Sequence, residues 1–330
     1  MPPLPITMAC CRYDRTESLR SGDTRVEGVE LNLLTLPHGR EIFDRMVGGR
    51  EFHASELSIS EYISLKGMGN RDFVAIPVFI SRVFRHGFVF FNRKSVVRSP
   101  KDLEGKRVGL PLYTQSAALW VRGHLTSQYG VDLDSIQWVQ GAVEKAGSHG
   151  KSSAPPLLKP ARIEQNHSGH SLDELLALGE IDALIGSRKP DSLGKSPDVA
   201  RLFPNYREIE REFYKATKVF PIMHLIAIRR DVHDANPWLA NALYKAFVDS
   251  KKRAMARLRY AGSLGTCLPW QLSEIEEIDE VFGGDAFPYG VEPNRPTLEA
   301  LMRHMVDQHF IAKPIPLEEL FVPLPGAMEG

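Results

Sequence analysis

The sequence predicts an α/β protein of two lobes, each a mixed sheet flanked by helices, with a ligand cleft between them. Three observations predict it. The chain has 330 residues, beyond the roughly 250–300 at which a single hydrophobic core stops growing. Strand-like and helix-like segments alternate from Ile6 to Phe91 and start again at Ser99, the grammar of open α/β sheets. After about residue 220 apolar strand and helix patterns resume, so one lobe is interrupted by the other. Residues 1–92 and 220–330 fall to the first lobe, and 93–219 to an inserted second lobe.

In the first lobe, ITMACC (6–11) reads as a strand and VEGVELNLLTL (26–36) alternates as a second. GREIFDRMVGGREF (39–52) carries Ile42, Phe43, Met46 and Val47 at the spacing of an amphipathic helix. HASELSISEYISLKGMG (53–69) reads as strand, polar turn and helix. FVAIPVFISRVFRHGFVFF (73–91) supplies two β-rich runs split by the basic turn SRVFRHG (81–87).

The second lobe offers the strand KRVGL (106–110), a helix from about Gln115 to Tyr129, the strand IQWV (136–139) and the helix-to-strand run SLDELLALGEIDALIG (171–186). Between them a Gly-, Ser-, Lys- and Pro-rich stretch, near 144–170, reads as a surface excursion. On the return, KVFPIMHLIAIRRDV (218–232) is an apolar strand. NPWLANALYKAFVDSKKRAMARL (236–258) is a long helix with Asn236 as cap and Pro237 in the first turn. Two further helices follow at 272–283 and 297–310, and the ending LEELFVPLPGAMEG (317–330) packs Phe321 and frays beyond it.

Composition removes several function classes. Lys plus Arg and Asp plus Glu balance at 41 each, so no global field gathers nucleic acid, and no C2H2 or RNP pattern is present. No run approaches about 18 apolar residues, so no membrane span is expected. MPPLPITMACCRYDR lacks the basic-then-apolar order of a secretory signal, which points to a soluble, cytoplasmic protein. Three cysteines make no disulfide framework, and the adjacent Cys10 and Cys11 read as inert buried thiols on opposite faces of a strand.

GxGxxG, Walker and GxSxG motifs are all missing, so no cofactor is predicted. HSGH (His167, His170) and the pair His304 and His309 lack HExxH or CxxC character. A divalent metal stays open only as a site assembled from distant residues, with His86 and His224 as candidates. The helical C-terminal region leaves a homo-oligomer open.

Ligands of such a fold bind at the carboxyl ends of strands, which directs attention to the loops. These hold Asp14 and Arg15; Glu56, Ser58 and Ser60, alternating onto one face; and Arg82, Arg85 and His86. Tyr113, Thr114, Gln115 and Ser116 open a helix, whose N-terminus favours an anion. Ser187 and Arg188 follow IDALIG, and His224 lies within FPIMHLI. Each has a plain structural alternative: an ion pair for the arginines or Glu56, a helix cap for Thr114 and Ser116, a core histidine for His224.

Several strings resemble 4,5-dihydroxyphthalate decarboxylases. They are YDRT (13–16), REFHASELSISEY (50–62), IPVFISRVFRHG (76–87), VGLPLYTQSAALWVRG (108–123), GEIDALI (179–185), LFPNY (202–206), FPIMH (220–224) and PYGVEPNRPTLEA (288–300). The likeness runs over nearly the whole chain, and KDLEGKRVG (101–109) is shared more widely with type II periplasmic-binding-protein folds. It implies that fold, and non-oxidative loss of CO₂ from a hydroxylated aromatic dicarboxylate, 4,5-dihydroxyphthalate giving protocatechuate.

That chemistry needs a carboxylate clamp, an acid near the carbon losing CO₂, and a partner for the phenol. Arg82 and Arg85 suit the clamp because guanidinium is planar and bidentate. The helix start at Thr114–Ser116 suits the departing carboxylate. His86 is expected as the acid and His224 as the phenol partner, with Asp14 or Glu56 orienting a histidine or accepting a hydrogen bond from the phenol. The alternative is a solute-binding protein for a small aromatic carboxylate, which needs the same clamp and no acid.

Overall fold

The structure is a computed structural model and describes residues 2–324. The expected fraying of the last residues lies outside that range. In chain order the first sheet is entered through β1 (Leu4–Cys10), α1 (Glu17–Ser21), β2 (Val29–Thr35), α2 (Gly39–Gly49), β3 (Ala54–Ser58), α3 (Ile59–Gly67) and β4 (Phe73–Arg82). The chain then crosses to a second sheet through β5 (Val89–Asn92), β6 (Arg107–Leu110), α4 (Ser116–Tyr129), β7 (Gln137–Gln140), β8 (Ile163–Gln165), α5 (Leu172–Leu178), β9 (Ala183–Ile185), β10 (Val199–Arg201) and α6 (Tyr206–Thr217). It returns as β11 (Ile222–Arg229), followed by α7 (Arg230–Ala235), α8 (Leu239–Arg259), α9 (Gln271–Phe282), α10 (Arg295–Asp307) and α11 (Leu317–Leu320).

The sheets have the orders β2-β1-β3-β11-β4 and β10-β5-β9-β6-β7-β8. In the first, β1 is parallel to β2 and β3, and the returning β11 is wedged antiparallel between β3 and β4. In the second, β6, β7, β8 and β9 run parallel, while β5 is antiparallel to both of its neighbours, β9 and β10. β3 and β11, inside their sheet, bury nearly every side chain, which is why β11 reads as a nearly continuous apolar run, whereas β3 buries Ser55, Glu56 and Ser58 as well.

The first lobe was expected to extend to residue 92, but Val89–Asn92 pairs with β9 and β10 of the second sheet. The crossing is therefore the basic turn itself, at 83–88. The excursion also contains an edge strand, β8, paired to β7 through Trp138–Ile163; three residues are too short for periodicity to show. Ser58 runs directly into α3 with no polar turn. Asn236 closes α7, and Trp238 occupies the cap position of α8.

α8 lies on the first sheet with Leu239, Leu243 and Phe247 buried. α10 instead packs on α4, where His304 meets Trp120 edge-on at 5.4 Å, and Trp120 Nε1 donates to Ile222 O of β11 at 2.9 Å. The C-terminal segment thus braces both sheets. Phe321 is buried against Phe79, 5.7 Å between centroids, as expected of it. No helix among the described residues is long and apolar enough to cross a membrane.

Candidate active site

Neighbouring strands place the most polar pair. In the β3–β11 ladder His224 lies opposite Ser58, and Ile226 opposite Glu56, so Glu56 and His224 are diagonal neighbours on one face. The pairing of β11 with β4 slips on both sides of His224, an irregularity of the kind that re-aims a side chain. His224 Nδ1 sits 2.5 Å from Glu56 Oε1, which turns Nε2 to the cavity that the ring lines. Phe43 packs edge-on against the imidazole at 5.0 Å.

Glu56 is fully buried. It also accepts the Tyr13 hydroxyl at 2.5 Å and the Cys11 N–H at 2.7 Å. Burial opposes its charge, but the hydrogen bonds from His224, Tyr13 and Cys11 outweigh it and hold the carboxyl below the usual range. The same burial, with Glu56 nearby, pushes the Cys11 thiol up to about 12 and Cys10 higher still, so neither is a nucleophile at neutral pH.

The cavity between the lobes holds about 250 Å³, at the small end for a ligand site. It is reached by loops at the carboxyl ends of strands from both sheets. Its wall carries Arg40, Arg85, Arg188, His38, His149 and His224 against one carboxylate, Glu61. Arg40 is neutralised by Glu61, through bonds of 2.6 and 3.1 Å, and by Asp44 at 2.8 Å. Arg188 pairs with Glu144.

Arg85 differs. It is buried, no carboxylate lies within 4 Å of it among the described residues, and its Nε has no partner. Its guanidinium rests on Phe88, 4.8 Å from the centroid. Burial lowers its pKa to about 9, with Glu210 opposing the fall, so the group stays cationic at neutral pH. His149 is driven down to about 4 by burial and then by Arg188 and Arg40, and faces the cavity as a neutral ring. Ser116 and Ala117 bring the first turn of α4 to the same wall, with N–H groups that have no helical partner.

Of the residues singled out in the sequence, Ser58, Arg85, Gln115, Ser116, Ser187, Arg188 and His224 line the cavity, with Glu56 directly behind. The others are engaged elsewhere. Asp14 is exposed and bonds Arg15, whose Nε donates to Ile80 O at 2.9 Å. Arg82 donates to Asn294 Oδ1 at 2.6 Å and Phe220 O at 2.8 Å, fastening the crossing to the C-terminal segment. Ser60 donates to Thr114 O at 2.8 Å and meets Ser116, stitching one lobe to the other. Tyr113 lies beneath the Arg122 guanidinium at 3.7 Å, and Thr114 bonds Ser152 at 2.6 Å.

The placement of His86 is the largest departure. Its ring stacks on His124 at 4.6 Å, its Nε2 meets Gln128 Oε1 at 3.2 Å, and Phe203 and Phe213 close the rest. It does not line the cavity. Arg85 and His86 are successive residues in a tight turn, so when one faces the cleft the other points into the protein. His86 packs among His124, Gln128, Phe203 and Phe213, whereas His224 meets Glu56 and Phe43. Among the described residues no group of three or more His, Cys, Asp or Glu is arranged to hold a metal ion.

Sequence reading missed Arg40, Glu61 and His149. His38 and Arg40 follow β2, and the strand-end rule that selected the other loops applies there equally. His149 lies in the excursion, where composition suggested only a solvated loop.

A two-lobed fold with an anion-ready cleft is the architecture of periplasmic binding proteins, and solved structures agree. The aliphatic sulphonate binding protein SsuA of Escherichia coli superposes with a TM-score of 0.54 over 97% of each chain, at 11% identity, a likeness of fold alone. The NMT1/THI5-like family model matches residues 60–149. The 4,5-dihydroxyphthalate decarboxylase of Comamonas testosteroni is 33% identical over 98% of both chains. That of Pseudomonas putida is 32% identical over 64% of this chain and 82% of its own. The chain belongs to the 4,5-dihydroxyphthalate decarboxylase family.

Proposed function

We propose that this protein is a cytoplasmic non-oxidative carboxy-lyase that converts 4,5-dihydroxyphthalate to protocatechuate and CO₂. The observation that carries the reading is a histidine backed by a buried carboxylate in the same small cavity as a buried arginine that has no carboxylate within 4 Å among the described residues. In this substrate each carboxylate is para to a hydroxyl. Electron density released from a phenolate reaches the carbon bearing the carboxylate, that carbon takes a proton, and the C–C bond to CO₂ breaks as the ring regains aromaticity.

Arg85 takes the carboxylate that is retained, as a planar, desolvated guanidinium does well. His224 Nε2 delivers the proton, with Glu56 holding Nδ1 and so fixing which nitrogen faces the ring. The first turn of α4, at Ser116 and Ala117, gives the wall the positive character that favours phenolate. His149, kept neutral, offers a hydrogen bond to it. His224 thus takes the acid role that sequence reading gave to His86.

The test is to incubate purified protein with 4,5-dihydroxyphthalate and follow protocatechuate and CO₂, with and without a chelator. Stoichiometric release of both products in both arms supports the reading. Binding with no product sinks it and leaves a solute-binding protein. Activity lost on chelation and restored by a divalent ion would make His224 a metal ligand rather than the proton donor.

A further inference from the structure

The turn that carries Arg85 is held from beneath by α6. Glu210, on α6, is buried, and its Oε1 accepts the Gly87 N–H at 3.1 Å. The same turn is fixed at two more points. Arg201 Nε of β10 donates to Gly87 O at 3.0 Å, and a Cβ at Gly87 would stand 2.7 Å from the Tyr206 ring. Gly87 is therefore pressed on α6 with both of its peptide polar groups engaged.

We propose that Glu210 is a positioning residue for substrate capture: it fixes the Arg85–Gly87 turn, and its carboxylate opposes the charge that Arg85 offers the substrate. This rests on the reading of Arg85 as the carboxylate anchor. The charged and titratable groups facing Glu210 are Arg85 and His86 from the turn and Arg201 from β10, with His124 of α4 stacked behind His86. On its own helix Arg211 is turned away to Glu277 of α9, at 3.2 Å.

Burial raises Glu210 to about 7, against the pull of the Gly87 and His86 N–H groups, Arg85 and Arg201. Above that pH the carboxylate is charged and cancels part of the Arg85 potential; below it, the protonated group still accepts the Gly87 N–H through its carbonyl oxygen. Binding of a dianion beside Arg85 accordingly favours the protonated form, and affinity falls as pH rises through 7.

The experiment is KM and kcat for 4,5-dihydroxyphthalate between pH 5.5 and 8.5 for the native protein, Glu210→Gln, Glu210→Leu and Arg85→Ala. The amide of Glu210→Gln keeps the acceptor and removes the charge, so its KM stays near the native low-pH value and loses the rise above pH 7. Glu210→Leu leaves the Gly87 N–H unpaired, and KM increases about tenfold at every pH with kcat within about threefold, corresponding to one factor of ten in binding. If Glu210→Leu does not fold, the pH profile of Glu210→Gln decides alone. A KM profile for Glu210→Gln identical to the native one overturns the proposal, provided Arg85→Ala raises KM. If Arg85→Ala leaves KM unchanged, the anchor reading itself has failed.

Discussion

His224 and Glu56 are joined by a 2.5 Å contact between Nδ1 and Oε1, and Glu56 has no exposure to solvent. They are 168 residues apart in sequence and become neighbours only because β11 inserts beside β3. One end of the pair is shielded by protein, and the other meets the cavity.

Replacing His224 by Asn is expected to lower kcat by about 10²–10⁴, the range for loss of a positioned proton donor, with substrate affinity changed by less than about tenfold. Single-turnover product formation beside equilibrium binding separates the two quantities. Full activity in this variant would remove His224 from the chemistry.

Glu56→Gln places an amide where three donors converge, and one N–H then faces another donor. Loss of about 3–5 kcal/mol of stability is expected, as when one partner of a buried pair is removed, together with a fall in kcat. Chemical denaturation checks the first and turnover below the unfolding midpoint the second. Unchanged stability would mean that the three contacts to Glu56 carry no net energy.

Arg85→Lys is expected to raise KM more than it lowers kcat, because an ammonium replaces a planar bidentate group. Arg82→Lys, whose partners are Asn294 Oδ1 and Phe220 O, should lower stability while leaving KM within about threefold. Equal effects on KM would show that the two arginines share one role.

Acid should destabilise the fold before neutral pH is left far behind. Burial holds His304 and His149 down to about 4, and His124 well below its usual value. Between about 4 and 6.5 the unfolded chain binds protons at these rings that the folded chain does not, so stability rises with pH across that window. Glu56 adds in the same direction at the acid end, since its contribution is present above the ordinary carboxylate pKa and disappears as pH falls through its lowered one, while Glu210, raised to about 7, opposes the rise as one group against three rings. Melting temperature measured from pH 4 to 7 should climb, and more shallowly in His304→Gln. A flat profile would contradict the burial of these histidines as neutral rings.

Gly123→Ala tests the bracing of the lobes. A Cβ there would stand 2.5 Å from the His304 ring, and overpacking of this kind costs about 1–3 kcal/mol. A melting temperature equal to the native one would show that α10 moves aside without cost.

Local chemistry carried much of this. Alternating apolar runs, the break at Ser99 and the resumption near residue 220 suffice for two α/β lobes, because burial of a strand or helix face imposes its period on the chain. The strand-end rule found Arg85, Gln115, Ser116, Arg188 and His224. What lay outside its reach is direction. Arg82, Arg85 and His86 are chemically similar and stand within five residues, yet one fastens the crossing, one faces the cavity and one is buried against His124. Their fates depend on how the chain turns between two sheets and on which helix lies beneath, set by contacts from 42 to 212 residues away in sequence. The same holds for β5, whose sheet is decided by its partners β9 and β10, and for Arg40 and Glu61, whose pairing needs the first turns of α2 and α3 brought together. Composition and period act along the chain; the aim of a side chain into a cavity is fixed by the elements packed around it.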